Sequence, residues 1–339
     1  MTNERERIAR VVQGIVGEHA HGLDLRRRPL LGGLEAAAVE LIGARYRDAR
    51  GRPRVIHMVA KRVSGAARRE AAVYERLLAT RVAPAPAPRL LAVDAPSRGT
   101  LVLYLEAVRR ASAWPWREVT TSRALLQRMA TFHLASADAR RAVPAWDYEA
   151  ELIESARATL ELLEELRREP EFSLMLRRSV PAARRFVHGL PRVREQLLGY
   201  APLHSGPIHG DVHTGNALLR MRGSRPEPIL IDWGRARIGS PLEDVSSWLQ
   251  SLGTWEPEAR RRHDSLLAGY LSERGLSRKL PSHLRSVYAF AGASNALAGA
   301  LRHHLLTAAG APRSRERARA AHSALTWLRV IRQAAAAWS

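Results

Sequence analysis

An aspartate at 211, an asparagine at 216 and a second aspartate at 232 carry the densest chemistry in the sequence, all within the stretch Leu203–Leu249. Ile208 closes a short apolar approach strand, and HGDVHTGN then places two glycines and a threonine where neither regular helix nor strand can continue. Asp211 and Asn216 are therefore expected on one tight loop. ALLRM resumes an extended run, Arg222 to Pro226 has turn composition, and PILID reads as a second buried strand delivering Asp232 at its end. Strand, turn and strand are expected to return Asp232 beside the loop. A carboxylate near an amide and a second carboxylate is the donor set that phosphoryl transfer requires. One Asp orients and deprotonates an attacking hydroxyl, while the Asn and the other Asp hold Mg²⁺ against nucleotide phosphates.

Two other readings of the same residues compete. His209, Asp211 and His213 alternate, as a hydrolase loop would present nitrogen and carboxylate ligands to Zn²⁺. No further cluster of His and acid completes such a site, and Gly210 and Gly215 favour a loop shaped around backbone contacts. The three groups could also be ordinary turn and strand-end residues. That is the default for one Asp, but their number and spacing count against it.

HGDVHTGN followed by IDWGRARIGSPLEDVSSWL resembles the catalytic and metal-binding segments of the aminoglycoside phosphotransferase family. This is the small-molecule branch of the protein-kinase-like fold, in which HRDxxxxN becomes HGDxxxxN and DFG becomes IDW or a relative. The resemblance implies that Asp211 is the catalytic base, that Asn216 and Asp232 are the metal ligands, and that Asp244 braces the loop without touching substrate. It also implies a lysine on the α and β phosphates of ATP, oriented by a glutamate on the following helix. Lys61, at the end of VIHMVAKRV, takes the first role; Glu70 or Glu75 offers the second, and Glu70 fits the pattern better. Only two lysines, Lys61 and Lys279, occur in a chain whose Lys+Arg total is 54, which gives the position of Lys61 weight. Gly32 and Gly33 stand where the family has a phosphate-covering loop, so Gly33 is expected against the nucleotide, although the pair departs from GxGxxG. The end of GTLVLYLEAV, Tyr104 to Glu106, is placed by the family's order at the hinge, where backbone groups would read adenine.

The elements that must position these groups follow from periodicity. Ile8, Val11, Val12 and Ile15 recur at helical spacing. After the basic segment LDLRRRPL, residues 30 to 63 read as strands separated by turns, a small antiparallel sheet. GAARREAAVYERLLAT is helical, and proline-rich APAPAPRLLAVD, residues 83 to 94, is a semi-rigid connector that can be neither helix nor central strand. Beyond the hinge the pattern turns helical. Leu125, Leu126, Met129 and Phe132 mark one helix, with His133 on its apolar face as a core histidine. Asp147 to Glu169 forms a long amphipathic helix ended by Pro170, and about 182 to 198 another. Glu149, Glu151, Glu154 and Glu161 are candidates, by location, for contacting a cationic substrate, against the plainer reading of a solvated face. From residue 256 onward the chain reads as helix after helix. His303 and His304 are adjacent and so face different sides, which argues against one metal held by both.

Composition bounds the remaining classes. With 46% hydrophobic and 26% charged residues the chain has the balance of a soluble globular protein. The absence of cysteine excludes disulfides, a thiolate nucleophile and sulfur-ligated metal. No secretory core or membrane-length apolar run is present, so a cytoplasmic protein is expected. The net charge of +21 invites a nucleic-acid reading. The arginines are strewn along the chain and interleaved with acids, so no dedicated nucleic-acid site is expected.

Together these readings imply an α+β, bilobal protein-kinase-like fold: residues 1–105 as a nucleotide-binding lobe with antiparallel sheet and helix, and 106–339 as a larger, mostly helical catalytic and substrate lobe. The expected reaction moves the γ-phosphoryl group of Mg-ATP to a hydroxyl of a small molecule such as an aminoglycoside-like antibiotic, amino alcohol or sugar. The competing class is a catalytically silent relative that binds nucleotide as a regulator. Lys61, Asp211, Asn216 and Asp232 are all intact, which counts against it.

Overall fold

The computed structural model describes residues 4–17, 21–30, 38–79, 85–108, 119–222, 225–255, 257–277, 281–310 and 315–338. The expected turn at Gly32 and Gly33, the tryptophan turn at 114–116 and Lys279 lie outside the described residues.

The chain opens with helix α1 (Glu4–Val16), then strands β1 (His21–Leu30), β2 (Ala38–Arg47) and β3 (Pro53–Ser64). Helix α2 (Arg69–Val73), prolonged by a π-type turn over Tyr74–Leu78, leads to β4 (Leu90–Ser97) and β5 (Thr100–Glu106). Helices α3 (Val119–Ala135), α4 (Tyr148–Leu166), α5 (Pro170–Leu176) and α6 (Ser179–Leu198) follow. Next come four short strands, β6 (Gly206–Ile208), β7 (Ala217–Arg222), β8 (Arg225–Leu230) and β9 (Arg237–Gly239). The chain finishes in α7 (Pro241–Trp255), α8 (Pro257–Glu273), α9 (Ser282–Asn295), α10 (Leu301–Gly310) and α11 (Arg315–Ala337).

These elements divide into two compact units. The first comprises residues 1–113, 141–144 and 217–236, and the second comprises 114–140, 145–216 and 237–339. The β7–β8 hairpin and Asp232 group with the N-terminal sheet.

The first unit is built on a five-stranded antiparallel sheet in the order β1-β2-β3-β5-β4. Ile8 and Val12 of α1 cover one face, packed on Ile42, Ala44, Met58, Ala60, Val102 and Tyr104. Strand alternation decides what lies on the other face. With Met58 and Ala60 turned to α1, Lys61 must point away from it, towards α2. The basic segment before the first glycine pair, read without a strand, is β1, paired with β2 from Leu30↔Val39 to His21↔Arg47. RLLAVD also extends into a strand, the edge strand β4, where Pro96 is tolerated because one side of the ladder is open.

Among the described residues, the second unit is helical apart from the β6–β9 ladder. Asp147 caps α4 through its side chain, accepting from the Ala150 amide at 3.2 Å. Leu152, Ala156, Leu163 and Leu166 turn inward at helical spacing. They join Phe186 and Leu190 of α6, Phe290 of α9 and Leu328 and Ile331 of α11 in one core. Pro170 ends no more than a loop: it opens α5 at its first turn, where a missing N–H costs nothing. No described helix is long and apolar enough to cross a membrane.

Candidate active site

In the first unit Lys61 sits at the centre of a charged trio. Its ammonium lies 2.6 Å from Oε2 of Glu70 and 2.7 Å from Oδ1 of Asp232. Register fixes the lysine, since Lys61 pairs with Val39 on one side and Leu103 on the other. Burial alone would lower the pKa of this ammonium, but the charges of Glu70 and Asp232 outweigh it and raise it above the ordinary lysine value. Glu70 is spent at both oxygens, because Oε1 also accepts the backbone N–H of Trp233 at 3.2 Å. Of the two glutamates open on this helix, Glu70 is the one at Lys61; Glu75 is exposed.

Asp232 is the sole non-glycine residue with positive φ among those described, at φ 65° and ψ 62°. A left-handed aspartate costs on the order of 1 kcal/mol or more and persists only where its surroundings fix it. The surroundings here are a single 3₁₀ turn, Trp233–Arg235, closed by the Ala236 amide on the Trp233 carbonyl at 3.0 Å. Trp233 is fully buried, and its indole N–H donates to the carbonyl of Leu230.

Tyr104 and Glu106 stand apart from this trio. The Tyr104 side chain is buried under α1, on the sheet face opposite Lys61, and burial pushes its hydroxyl up to about 12. Tyr104 and Leu105 lie within ladders on both sides of β5, and the Glu106 amide donates to the Arg89 carbonyl. The backbone beyond the ladder begins at Ala107 and Val108. The carboxylate of Glu106 instead accepts from Arg220 of β7 at 3.0 Å, tying the hairpin to the sheet. Gly33 lies outside the described residues.

In the second unit the loop after β6 carries Asp211 and Asn216, and it is held by buried polar groups. Asp244 of α7 accepts the amides of His209 and Gly210, each at 2.8 Å, one on each carboxylate oxygen. It also accepts from His133 Nε2 at 3.1 Å, and His133 Nδ1 faces the Tyr270 hydroxyl at 2.9 Å. Burial lowers the pKa of His133, with Asp244 opposing. A neutral imidazole with its proton on Nε2 satisfies both contacts. Burial alone would raise the pKa of Asp244, but the hydrogen bonds it accepts from His133 and the Gly210 amide hold it below the ordinary carboxylate range. Gly210 adopts φ +82°, which a side chain would resist. A Cβ at Gly215 would come within 2.7 Å of the His213 ring, so that ring and residue 215 cannot both be bulky.

A second anchor comes from Arg237 of β9. Its guanidinium donates to the Gly210 carbonyl at 3.0 Å and to Glu243 at 2.8 Å, and stacks 3.7 Å from the centre of the Tyr148 ring. Arg194 bridges Glu243 and Glu149. That contact removes Glu149 from the candidate substrate acids, since both its oxygens accept from Arg194. Glu151 accepts the Trp146 indole N–H. Glu154 and Glu161 are exposed. Sequence reasoning missed Arg69, Arg194 and Arg237 because an arginine in so arginine-rich a chain carries no signal by type.

The amide of Asn216 settles its own orientation. Nδ2 donates to the Asp211 carbonyl at 3.0 Å and to Asp211 Oδ2 at 3.2 Å, so Oδ1 is the atom turned away as an acceptor. Asn216 offers a carboxamide oxygen and Asp232 a carboxylate. Both are hard oxygen donors of the kind Mg²⁺ takes, one or two from protein with phosphate and water supplying the rest. Among the described residues no three His, Cys, Asp or Glu side chains gather as a metal cage.

The phosphotransferase enzyme family model (APH) matches residues 26–283. The chain belongs to this family. It is a kinase-like phosphotransferase. No curated protein matches the chain. Among solved structures, an amicoumacin kinase in complex with AMP-PNP and Ca²⁺ superposes with a TM-score of 0.58 at 14% identity, covering 97% of this chain and 93% of that one. A microcompartment-associated aminopropanol kinase gives 0.53 at 17%, covering 97% and 95%. The aminoglycoside phosphotransferase of Alicyclobacillus acidocaldarius gives 0.54 at 14%, covering 93% and 92%. At these identities the likeness is one of fold, and it bears out the α+β, protein-kinase-like architecture.

Proposed function

We propose that this phosphotransferase moves the γ-phosphoryl group of Mg-ATP to a hydroxyl of a small molecule. The observation that carries the reading is the Lys61 ammonium clamped between Glu70 and Asp232. In this role Glu70 holds Lys61 extended, and the ammonium, a compact point charge, takes the α and β phosphates. Asp232 and Asn216 would supply the oxygens that hold the metal. Mg²⁺, when bound, neutralises charge on the phosphate oxygens and fixes their direction. Asp211 accepts the proton of the attacking hydroxyl, its Oδ2 oriented by Asn216 Nδ2. Catalysis of this kind is positioning and charge placement, with little covalent work for the protein. The backbone after β5 would meet the adenine, and residue 33 the phosphates.

The acceptor class follows the solved relatives, which are named for an antibiotic and for aminopropanol. A strongly cationic chain repels a polycation at long range, which favours a neutral or singly charged hydroxyl compound. The test is a phosphate-transfer assay over aminoglycosides, macrolides, amino alcohols and sugars. One acceptor in the panel should be turned over by the wild type and not by Asp211→Ala, with nucleotide binding kept. Turnover that survives Asp211→Ala would remove the base assignment.

A further inference from the structure

Two consecutive residues of α2 grip the same short turn from opposite ends. Glu70 takes the first amide of that turn, the N–H of Trp233. Arg69 takes its far end: one guanidinium nitrogen donates to the Ala236 carbonyl at 2.5 Å and the Gly234 carbonyl at 3.2 Å. The other terminal nitrogen donates to the Pro144 carbonyl at 2.6 Å, bringing a third stretch of chain into the grip. A turn of three residues cannot satisfy its own terminal N–H and C=O groups, so these must find partners outside it. Here the partners are an acid at the amino end and a cation at the carboxyl end, the signs that the backbone dipoles favour.

The residue that enters this turn is Asp232, in its left-handed conformation. A backbone in that region relaxes unless the chain on either side is held. Lys61 holds the side chain of Asp232, and Glu70 holds the amide that follows. Arg69 reaches the carbonyls of Gly234 and Ala236 at the far end. A planar fork with two separated donor nitrogens can span three carbonyls, which an ammonium on a single stem cannot.

We propose that Arg69 is a positioning residue for Asp232: by capping the carboxyl end of the 233–235 turn it keeps the Asp232 backbone left-handed and its carboxylate aimed for the metal. This rests on the reading of Asp232 as a metal ligand. Arg69 itself touches neither nucleotide nor acceptor in this account.

The test uses the full-length chain and AMP-PNP as probe. Binding is titrated in EDTA and over a Mg²⁺ series for wild type, Arg69→Gln, Arg69→Lys and Asp232→Asn, and amide hydrogen exchange is followed at residues 233–236. Arg69→Gln should raise the Mg²⁺ concentration for half-maximal tightening about tenfold, the scale of one lost hydrogen bond to a charged group. Arg69→Lys should raise it less, exchange at 233–236 should quicken in both, and affinity in EDTA should hold. An unchanged Mg²⁺ response, or an equal loss of affinity in EDTA, overturns the role. Should Arg69→Gln fail to fold, Arg69→Lys decides by the same criteria. If Asp232→Asn keeps the wild-type Mg²⁺ response, the metal-ligand reading falls and this proposal with it. If Asp232→Asn loses the response while both Arg69 variants keep it, the Arg69 proposal alone falls.

Discussion

The two units hold their functional residues by opposite means. In the first, Lys61, Glu70 and Asp232 are fixed by charge, around one strained backbone position. In the second, Asp211 and Asn216 ride on a loop fixed through its main chain, by Asp244 on two amides and Arg237 on a carbonyl. A set held by ion pairs can exchange its partners when phosphate and metal arrive, because Lys61 already has its counter-charges and can trade one for a phosphate. A loop held by buried backbone bonds cannot trade them. On the proposed reading, it presents Asp211 as base in one place before and after the nucleotide enters. If the proposed roles hold, nucleotide response belongs to the first unit and fixed geometry to the second.

Four outcomes would break or sharpen that contrast. The largest effect should come from Asp211→Ala, which lowers turnover on the order of 10³-fold, within the range of a lost general base, while AMP-PNP affinity stays put. Equal losses in both would mean that the loop also serves binding. Next, Asp244→Ala should cost about 3 kcal/mol of unfolding free energy, since it strands two amides and breaks a buried pair with His133. Denaturant unfolding measures it, and a cost under about 1 kcal/mol would show the loop to be held elsewhere. A smaller effect is expected from Lys61→Arg, a rise in KM for ATP of about tenfold at nearly unchanged stability, because the broad guanidinium fits poorly between phosphates.

The smallest effect is one of pH, and its sign follows from His133. Its folded-state pKa is depressed by burial, so the unfolded chain takes up the proton first. Stability should therefore fall as the pH drops below about 6.5, the unfolded histidine value. His304, likewise lowered by burial and by His303, adds to the slope. Asp244 acts lower down: its folded pKa is depressed, so its contribution is present above about 3.9 and is lost as pH falls through the folded value. Thermal melts from pH 7.5 to 5 should show the decline in the wild type and a shallower one in His133→Asn. Equal slopes would place the titrating group elsewhere.

Much of this was legible in the chain. Alternation in VIHMVAKRV puts Lys61 opposite the face that α1 covers, and helical spacing places His133 in the core, where Asp244 and Tyr270 now account for it. Strands β1 and β4 were hidden for a physical reason. Both are sheet edges: β1 shows little alternation, with three consecutive arginines, and β4 follows a proline run. The anchoring role of Arg69, Arg194 and Arg237 depends on which carbonyl or carboxylate each meets after folding. No spacing encodes that. Glu149 is the converse case, an acid on the exposed start of a helix that proved to be the partner of a buried arginine.

The central proposal is that Lys61 and Asn216 both serve one magnesium-loaded nucleotide. Calorimetric titration of AMP-PNP with Mg²⁺ into wild type, Lys61→Ala and Asn216→Ala tests it most directly. The account predicts one site per chain and a clear loss of Mg²⁺-dependent affinity in each variant. Full wild-type affinity in Asn216→Ala, beside a loss in Lys61→Ala, would contradict it.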